Sequence, residues 1–311
     1  MKNINVSECY YHINVKYDIL VIRYGELALK AKYTRRRFEG VLKKNISLAL
    51  DIEGIPHSIN SEWGRIYVET DYIENSIPVL KKIFGITSFS PAIRTVATIE
   101  DISNLAVKLS KELLSREKKF ALRVTRTGEH TFSSKDIAVY VGGEIRKNTQ
   151  ASVDLTNPDI ELFIEIRERY AYIFTERIPG PGGLPLGTQG TVIAYIDKPI
   201  ALLAAWYILK RGCKTIFYNT YKRELLEKFV EKWYIPYPEI IDSEYSIERL
   251  KDILMEKNCL AIITAHTLSN DPIKTIKDLE NLKRNVNLPI LSPLLVLTPK
   301  EIEAQYKNMG I

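Results

Sequence analysis

The sequence predicts a protein of several domains, α+β in its first part and α/β, with a doubly wound parallel sheet, in its last. Three observations carry this reading. Between Asp18 and Val96 the strand and helix signals follow the order β-α-β-β-α-β. Between Gly180 and Gly187 a run dense in Gly and Pro interrupts both helix and strand. From Thr191 onward strands and helices alternate, a pattern that needs parallel neighbours joined by crossovers. At 311 residues the chain also exceeds the roughly 250–300 at which one core stops growing.

Taken in order, Asp18–Tyr24 is a short β-rich run closed by Gly25. A helix is expected over Thr34–Leu50, with Thr34 as N-cap, Phe38, Leu42 and Ala49 on one face, and Arg36 and Lys43 on the opposite, solvated face. Strands at His57–Asn60 and Arg65–Thr70 flank a Trp63-Gly64 turn, a helix follows near Ile77–Phe84, and Ser88–Val96 closes a ferredoxin-like unit. The next segment reads helix Ile102–Ser115, strand Phe120–Thr125 and helix Ser134–Asn148, in which Ile137, Val141 and Ile145 recur every four residues. Two strands, Ile160–Ile166 and Ala171–Glu176, then bracket an Arg167–Arg169 turn. Beyond the Gly/Pro run come strand Thr191–Ile196, helix Ile200–Lys210, strand Lys214–Tyr218, helices Lys222–Trp233 and Ile247–Lys257, strand Leu260–Thr264, helix Ile273–Arg284, strand Leu288–Leu291 and helix Lys300–Asn308.

With 45% hydrophobic and 26% charged residues the chain can bury sizeable cores, which excludes wholesale disorder. No apolar run reaches the length of a membrane span and the N-terminus lacks a signal-peptide core, so a cytoplasmic protein with no membrane partner is expected. Cys9, Cys213 and Cys259 lie far apart, against a disulfide framework or a zinc site. His12, His57, His130 and His266 show no ligand spacing with carboxylates or cysteines, so neither metal nor general base is assigned. The net charge of +6 is concentrated: Arg23, Lys30, Lys32, Arg35, Arg36, Arg37, Lys43 and Lys44 face only Glu26 and Glu39, an excess equal to that of the whole chain. A second basic excess runs from Lys108 to Lys147.

The run IRYGELALKAKYTRRRF from Ile22 to Phe38 resembles the opening motif of tRNA 4-thiouridine synthases, the tRNA sulfurtransferases. The resemblance continues through Phe84-Gly85-Ile86 with Ser88–Ala92, FALRVTRTGEHTFSS (Phe120–Ser134), VDLTNPD (Val153–Asp159), GPGGLPLGTQG (Gly180–Gly190) and the closing stretch Asn287–Ile311. It implies a ferredoxin-like domain over residues 1–97, a THUMP domain over 98–179, a Gly/Pro-rich linker over 180–190, and a PP-loop ATPase-like, Rossmann-like domain over 191–311. It also implies tRNA as the partner, gripped at its acceptor stem and 3′ end by the first two domains.

The family's chemistry uses a Ser-Gly-Gly-x-Asp-Ser loop after the first strand of the last domain, where glycines let backbone amides close around the pyrophosphate of ATP at a helix N-terminus. Here the matching stretch is Ile196-Asp197-Lys198-Pro199-Ile200-Ala201, without glycine or serine. Pro199 removes an amide donor and Asp197 sets an anion where phosphates would lie. The resemblance therefore leads to a degenerate nucleotide loop at Asp197, Lys198 and Pro199, no ATP cofactor, and no catalytic residue. A structural alternative suffices for Asp197, which could cap the following helix. The later family loop reads Thr264–Asp271, and the sequence ends at Ile311, short of the segment carrying the family's catalytic cysteine, so no sulfur-relay cysteine is expected. Cys213 and Cys259, beside expected buried strands, read as inert packing.

Lys30, Lys32, Arg35, Arg36, Arg37 and Lys43, with Arg23 just ahead of them, could form a solvated helix face, but their single sign favours phosphate contact. Arg123, Arg126, His130, Lys135, Arg146 and Lys147 are the corresponding RNA candidates of the second domain, and Phe132 reads as a buried aromatic. Two functions are expected to compete: a tRNA-binding protein that has lost thiolation, and a tRNA sulfurtransferase acting through a divergent loop or as part of a split enzyme. A homodimer and a separately encoded catalytic chain are the further partners the resemblance suggests.

Overall fold

The computed structural model describes residues 16–25, 31–268 and 271–310. They form two compact units: one from the stretches ending at Arg23 and spanning Ile55–Ile77 and Ser88–Ile178, the other from Tyr24–Gly54, Pro78–Thr87 and Pro179 onward. The chain passes between them several times, so the units do not divide at single points along the sequence.

The first unit is built on one sheet. Its strands are β1 (Ile19–Arg23), β2 (Ser58–Glu62), β3 (Arg65–Glu69), β4 (Ser88–Val96), β5 (Lys119–Arg126), β6 (Ser152–Val153), β7 (Ile160–Ile166) and β8 (Tyr170–Phe174), in the spatial order β2-β3-β1-β4-β8-β7-β5-β6, with β9 (Ile178–Pro179) paired to β4 off this path. Strand β4 is the bridge. Its first half lies antiparallel to β1, Ile22 against Phe89, and its second half antiparallel to β8, Arg94 against Tyr172. Nine residues give it the length for both partners. The segments before and after β4 therefore share one continuous sheet. On one face, Ile19, Val21, Tyr67, Ala92, Tyr172 and Phe174 pack into a cluster, with Tyr67 stacked on Tyr172 at 4.7 Å. Helices α3 (Ile99–Leu113) and α4 (Ser134–Thr149) pack on each other. Thr98 caps α3, and Ser133 with Asp136 forms a capping box on α4, satisfying amides the helix itself leaves open.

Helix α1 (Lys32–Ile52) buries Phe38, Leu42 and Ala49, the apolar stripe expected from spacing, together with Ile46 and Leu50. Its start differs from expectation: Ala31 is the N-cap, no side chain caps it, and Thr34 lies inside the first turn. Helix α2 (Ile73–Leu80) sits earlier than expected. Ile77, Leu80, Ile83 and Phe84 keep helical spacing and are all buried, but the last two lie in tight turns, with amides of Lys82 and Ile83 bonded to carbonyls three residues back.

The second unit carries a fully parallel five-stranded sheet in the order β12-β11-β10-β13-β14, namely β10 (Thr191–Ile196), β11 (Lys214–Asn219), β12 (Glu239–Asp242), β13 (Ile262–Ile263) and β14 (Ile290–Leu291). Residues alternate between two cores. Val192, Ala194 and Ile196 join one with α5 (Ala201–Lys210), α6 (Arg223–Lys232) and α9 (Pro299–Met309). Ile193 and Tyr195 join the other with α7 (Ile247–Glu256) and α8 (Pro272–Asn285). Helices on both faces make the sheet doubly wound. The strand order reverses between β10 and β13, the switch point where such sheets open a crevice at their carboxyl ends.

The Gly/Pro tract is not a free linker. Gly180 and Gly182 donate to Thr87 and Ile86, Leu184 donates to Lys210, and Gly187 donates to Gly212. Leu184 and Leu186 are buried. A side chain at Gly180 would collide with the Ile86 carbonyl, and one at Gly183, whose φ is +78°, with the Lys210 carbonyl. Close backbone approach explains Gly180 and Gly183.

Candidate functional site

The basic candidates separate by environment. Arg23, at the end of an entirely buried strand, is 7% exposed. Its guanidinium donates to Glu165 at 3.0 Å and to the Ser90 hydroxyl at 2.9 Å, and lies over the Phe174 ring. This corrects its expected role, because phosphate contact needs an accessible cation. Arg65 and Arg167 meet the same carboxylate, each at 2.6 Å. Burial alone would raise the Glu165 pKa, but Arg65, Arg23 and Arg167 outweigh it and bring it down to about 2. Burial lowers the Arg23 pKa to about 10 against the attraction of Glu165.

On α1, Lys32, Arg36, Arg37 and Lys44 are exposed, while Lys43 is half-buried and so does not share the fully solvated position expected for it. Arg35 is held 3.9 Å from Glu39, to which the Tyr24 hydroxyl also donates, and Arg37 lies 5.9 Å from the Phe38 ring. Lys30, together with Cys9 and His12, lies outside the described residues.

Beyond β4, Arg123 is fixed within the fold by Glu161 and the Leu155 carbonyl, both at 2.8 Å. Arg126 donates to the Gly128 carbonyl, and His130 pairs through Nε2 with the Arg167 carbonyl and packs on buried Phe132 at 5.1 Å. Four candidates are open to solvent: Arg126, and Lys135, Arg146 and Lys147, the last three all on α4 with exposed Val139 and Tyr140. Lys135, Val139, Gly143 and Arg146 lie on one helical face by their spacing. Lys147 approaches Glu144 at 3.7 Å across solvent, a pair of small energetic weight.

In the second unit, Asp197, Lys198 and Pro199 form the turn from β10 into α5. Asp197 does not cap the helix: Ile200 is the N-cap and no side chain bonds to it. Instead Ala201 donates to Lys198, Leu202 to Pro199 and Leu203 to Ile200, each to a carbonyl three residues back. Asp197 rests 3.8 Å from Lys198. Beside this turn opens a crevice of about 620 Å³, lined by Tyr195, Asp197, Lys198, Tyr245, His266 and Asp278 among others. It occupies the switch point, within the volume range of small-ligand sites. His266 Nδ1 lies 2.8 Å from Thr264 Oγ1, which lies 2.8 Å from Ser292 Oγ. Burial, and then Lys198, lowers the His266 pKa, so its ring is neutral at pH 7. Burial raises the pKa of the Cys213 and Cys259 thiols, which keeps both protonated and unreactive. Among the described residues, no group of three or more His, Cys, Asp and Glu could hold a metal ion, and no helix is long and apolar enough to cross a membrane.

The residues that sequence reasoning missed are Glu165, Arg65 and Arg167 in the first unit and Tyr195, Tyr245, Asp278, Asn281 and Asn285 at the crevice. For Glu165 the one sequence signal was a glutamate set among buried strand positions. The model of the ThiI ferredoxin-like domain matches residues 19–90 and that of the THUMP domain residues 96–176. A Methanothermobacter thermautotrophicus protein named "Probable tRNA sulfurtransferase" is 32% identical over 94% of this chain and 85% of its own. A crystal structure of a Pyrococcus horikoshii protein covers 94% of this chain and all of its own, with 31% identity and a TM-score of 0.82. A 4-thiouridine synthetase solved as an RNA complex with bound ATP is alike in fold, at 24% identity over 94% of this chain and 85% of its own, with a TM-score of 0.76. Two domain models in the family's order and a relative aligned along nearly the whole chain establish that this protein belongs to the tRNA sulfurtransferase family.

Proposed function

We propose that this chain is a tRNA-binding member of its family in which ATP-dependent thiolation has been lost. The observation that carries the reading is the turn into α5. A phosphate cradle needs several free amides pointing outward from a helix N-terminus. Here Pro199 has no amide hydrogen, and the amides of Ala201, Leu202 and Leu203 already donate to carbonyls three residues back. The residues present do not fit a triphosphate.

The tRNA part of the reading rests on exposed cations, Lys32, Arg36 and Arg37 on α1 and Lys135, Arg146 and Lys147 on α4, in a chain whose relatives are named for acting on tRNA. Clustered, one-signed cations attach to a phosphate backbone without reading its sequence. Such a protein would hold tRNA for a separately encoded catalytic chain, alone or as a homodimer. The second reading, a sulfurtransferase working through a divergent loop or as part of a split enzyme, draws on the persistence of the crevice at the switch point. Titration calorimetry of ATP, with and without tRNA, separates the two. The first reading expects no saturable heat, whereas saturable ATP binding supports the second and overturns the first.

A further inference from the structure

We propose that the crevice at the carboxyl ends of β10 and β13 binds a small organic cation carrying primary ammonium groups. The inference rests on the reading that the crevice is closed to triphosphates, and goes on to say what it admits. In a chain of net charge +6, the described lining is acidic: Asp197, Glu248 and Asp278 stand against Lys198, whose Nζ is 3.8 Å from Asp197, and Lys251 outside the lining also acts on Glu248. His266 adds no positive charge, since burial and Lys198 lower its pKa. A crevice with low-dielectric walls focuses the field of its charges, so this one concentrates cations and repels phosphates.

The uncharged lining suits the same ligand. Tyr195 and Tyr245 form an aromatic corner, their ring centroids 5.2 Å apart and their planes at 47°. A ring face attracts an ammonium group through its quadrupole. Asn281 and Asn285 of α8 also line the crevice, Asn285 Nδ2 donating to Asn281 Oδ1 at 3.3 Å, and the remaining lone pairs of their amide oxygens suit an ammonium group, which has three donors and no acceptor. The N-terminus of α7 also borders the crevice, but Glu248 in its first turn, bonded to Ser246 Oγ at 3.0 Å, offsets the positive end of the helix. At about 620 Å³ the space exceeds what an inorganic ion needs, admits a short aliphatic diamine and leaves room for a larger amine.

The test is titration calorimetry of the full chain with 1,4-diaminobutane, with succinate as the dianion of equal carbon count, and with ATP, at near-physiological salt. The proposal expects saturable binding of the diamine alone, weakened about tenfold by Asp278→Asn and by Tyr245→Leu and retained by Tyr245→Phe. Both positions are exposed, so the fold tolerates these changes. Diamine binding that is absent, or unchanged by Asp278→Asn and Tyr245→Leu, overturns the proposal and leaves the lost-cradle reading standing. Saturable ATP binding overturns that reading and this inference with it.

Discussion

Replacing Glu165 with Gln removes the one carboxylate that Arg23, Arg65 and Arg167 share while leaving the shape of the side chain intact. In the native unit its oxygens lie 3.0, 2.6 and 2.6 Å from guanidinium nitrogens of Arg23, Arg65 and Arg167, with 4% of its own side chain exposed. Its pKa falls from 4.5 to about 2, and at about 1.4 kcal/mol per pKa unit that is a native-state preference for the charged form of about 3 kcal/mol. Leaving buried cations without their anion falls in the same range, about 3–5 kcal/mol. Urea denaturation at pH 7 should therefore show Glu165→Gln less stable by about 3 kcal/mol with an unchanged slope. The pH dependence has a definite sign. A depressed carboxylate pKa contributes stability that is complete above the unfolded value of 4.5 and is lost as pH falls toward about 2, so the gap between variant and parent should close through that window. Equal midpoints at pH 7, or a gap that persists undiminished at the acid end, would refute the reasoning.

Charge reversal of Lys32, Arg36 and Arg37 should weaken tRNA binding across sequences and reduce the slope of log affinity against log salt by about 2–3, measured by filter binding; an unchanged slope removes α1 from the interface. Removing Lys135, Arg146 and Lys147 together should act in the same direction through α4. Peptide mapping after iodoacetamide treatment at pH 7 should find Cys213 and Cys259 largely unlabelled until the chain is unfolded, because burial raises both thiol pKa values. Phe84→Ala should destabilise the second unit by about 3–5 kcal/mol, since the ring stacks on Trp233 at 5.3 Å inside its core; thermal unfolding reads this out.

Spacing revealed what is local. Phe38, Leu42 and Ala49 announced the buried stripe of α1, and Ile137, Val141 and Ile145 that of α4. Alternation of strands and helices after Thr191 announced the parallel sheet. The edge strand β12 escaped because Pro236 and Pro238 precede it and only four residues pair. Arg23 was misread because its partner Glu165 is 142 residues away, and no local pattern distinguishes a cation that ends a buried strand from one that opens a basic surface. Asp197 looked like a cap because acidic residues before helices commonly are, yet here Pro199 and Ile200 complete the turn with backbone bonds alone. The crevice draws its lining from strand ends, the start of α7 and one face of α8, residues that meet only through tertiary packing.

The most direct measurement is transfer of label from α-labelled ATP to total tRNA by the purified chain. The lost cradle predicts RNA that binds the protein and stays unlabelled. Adenylated tRNA that accumulates with this chain alone would contradict it.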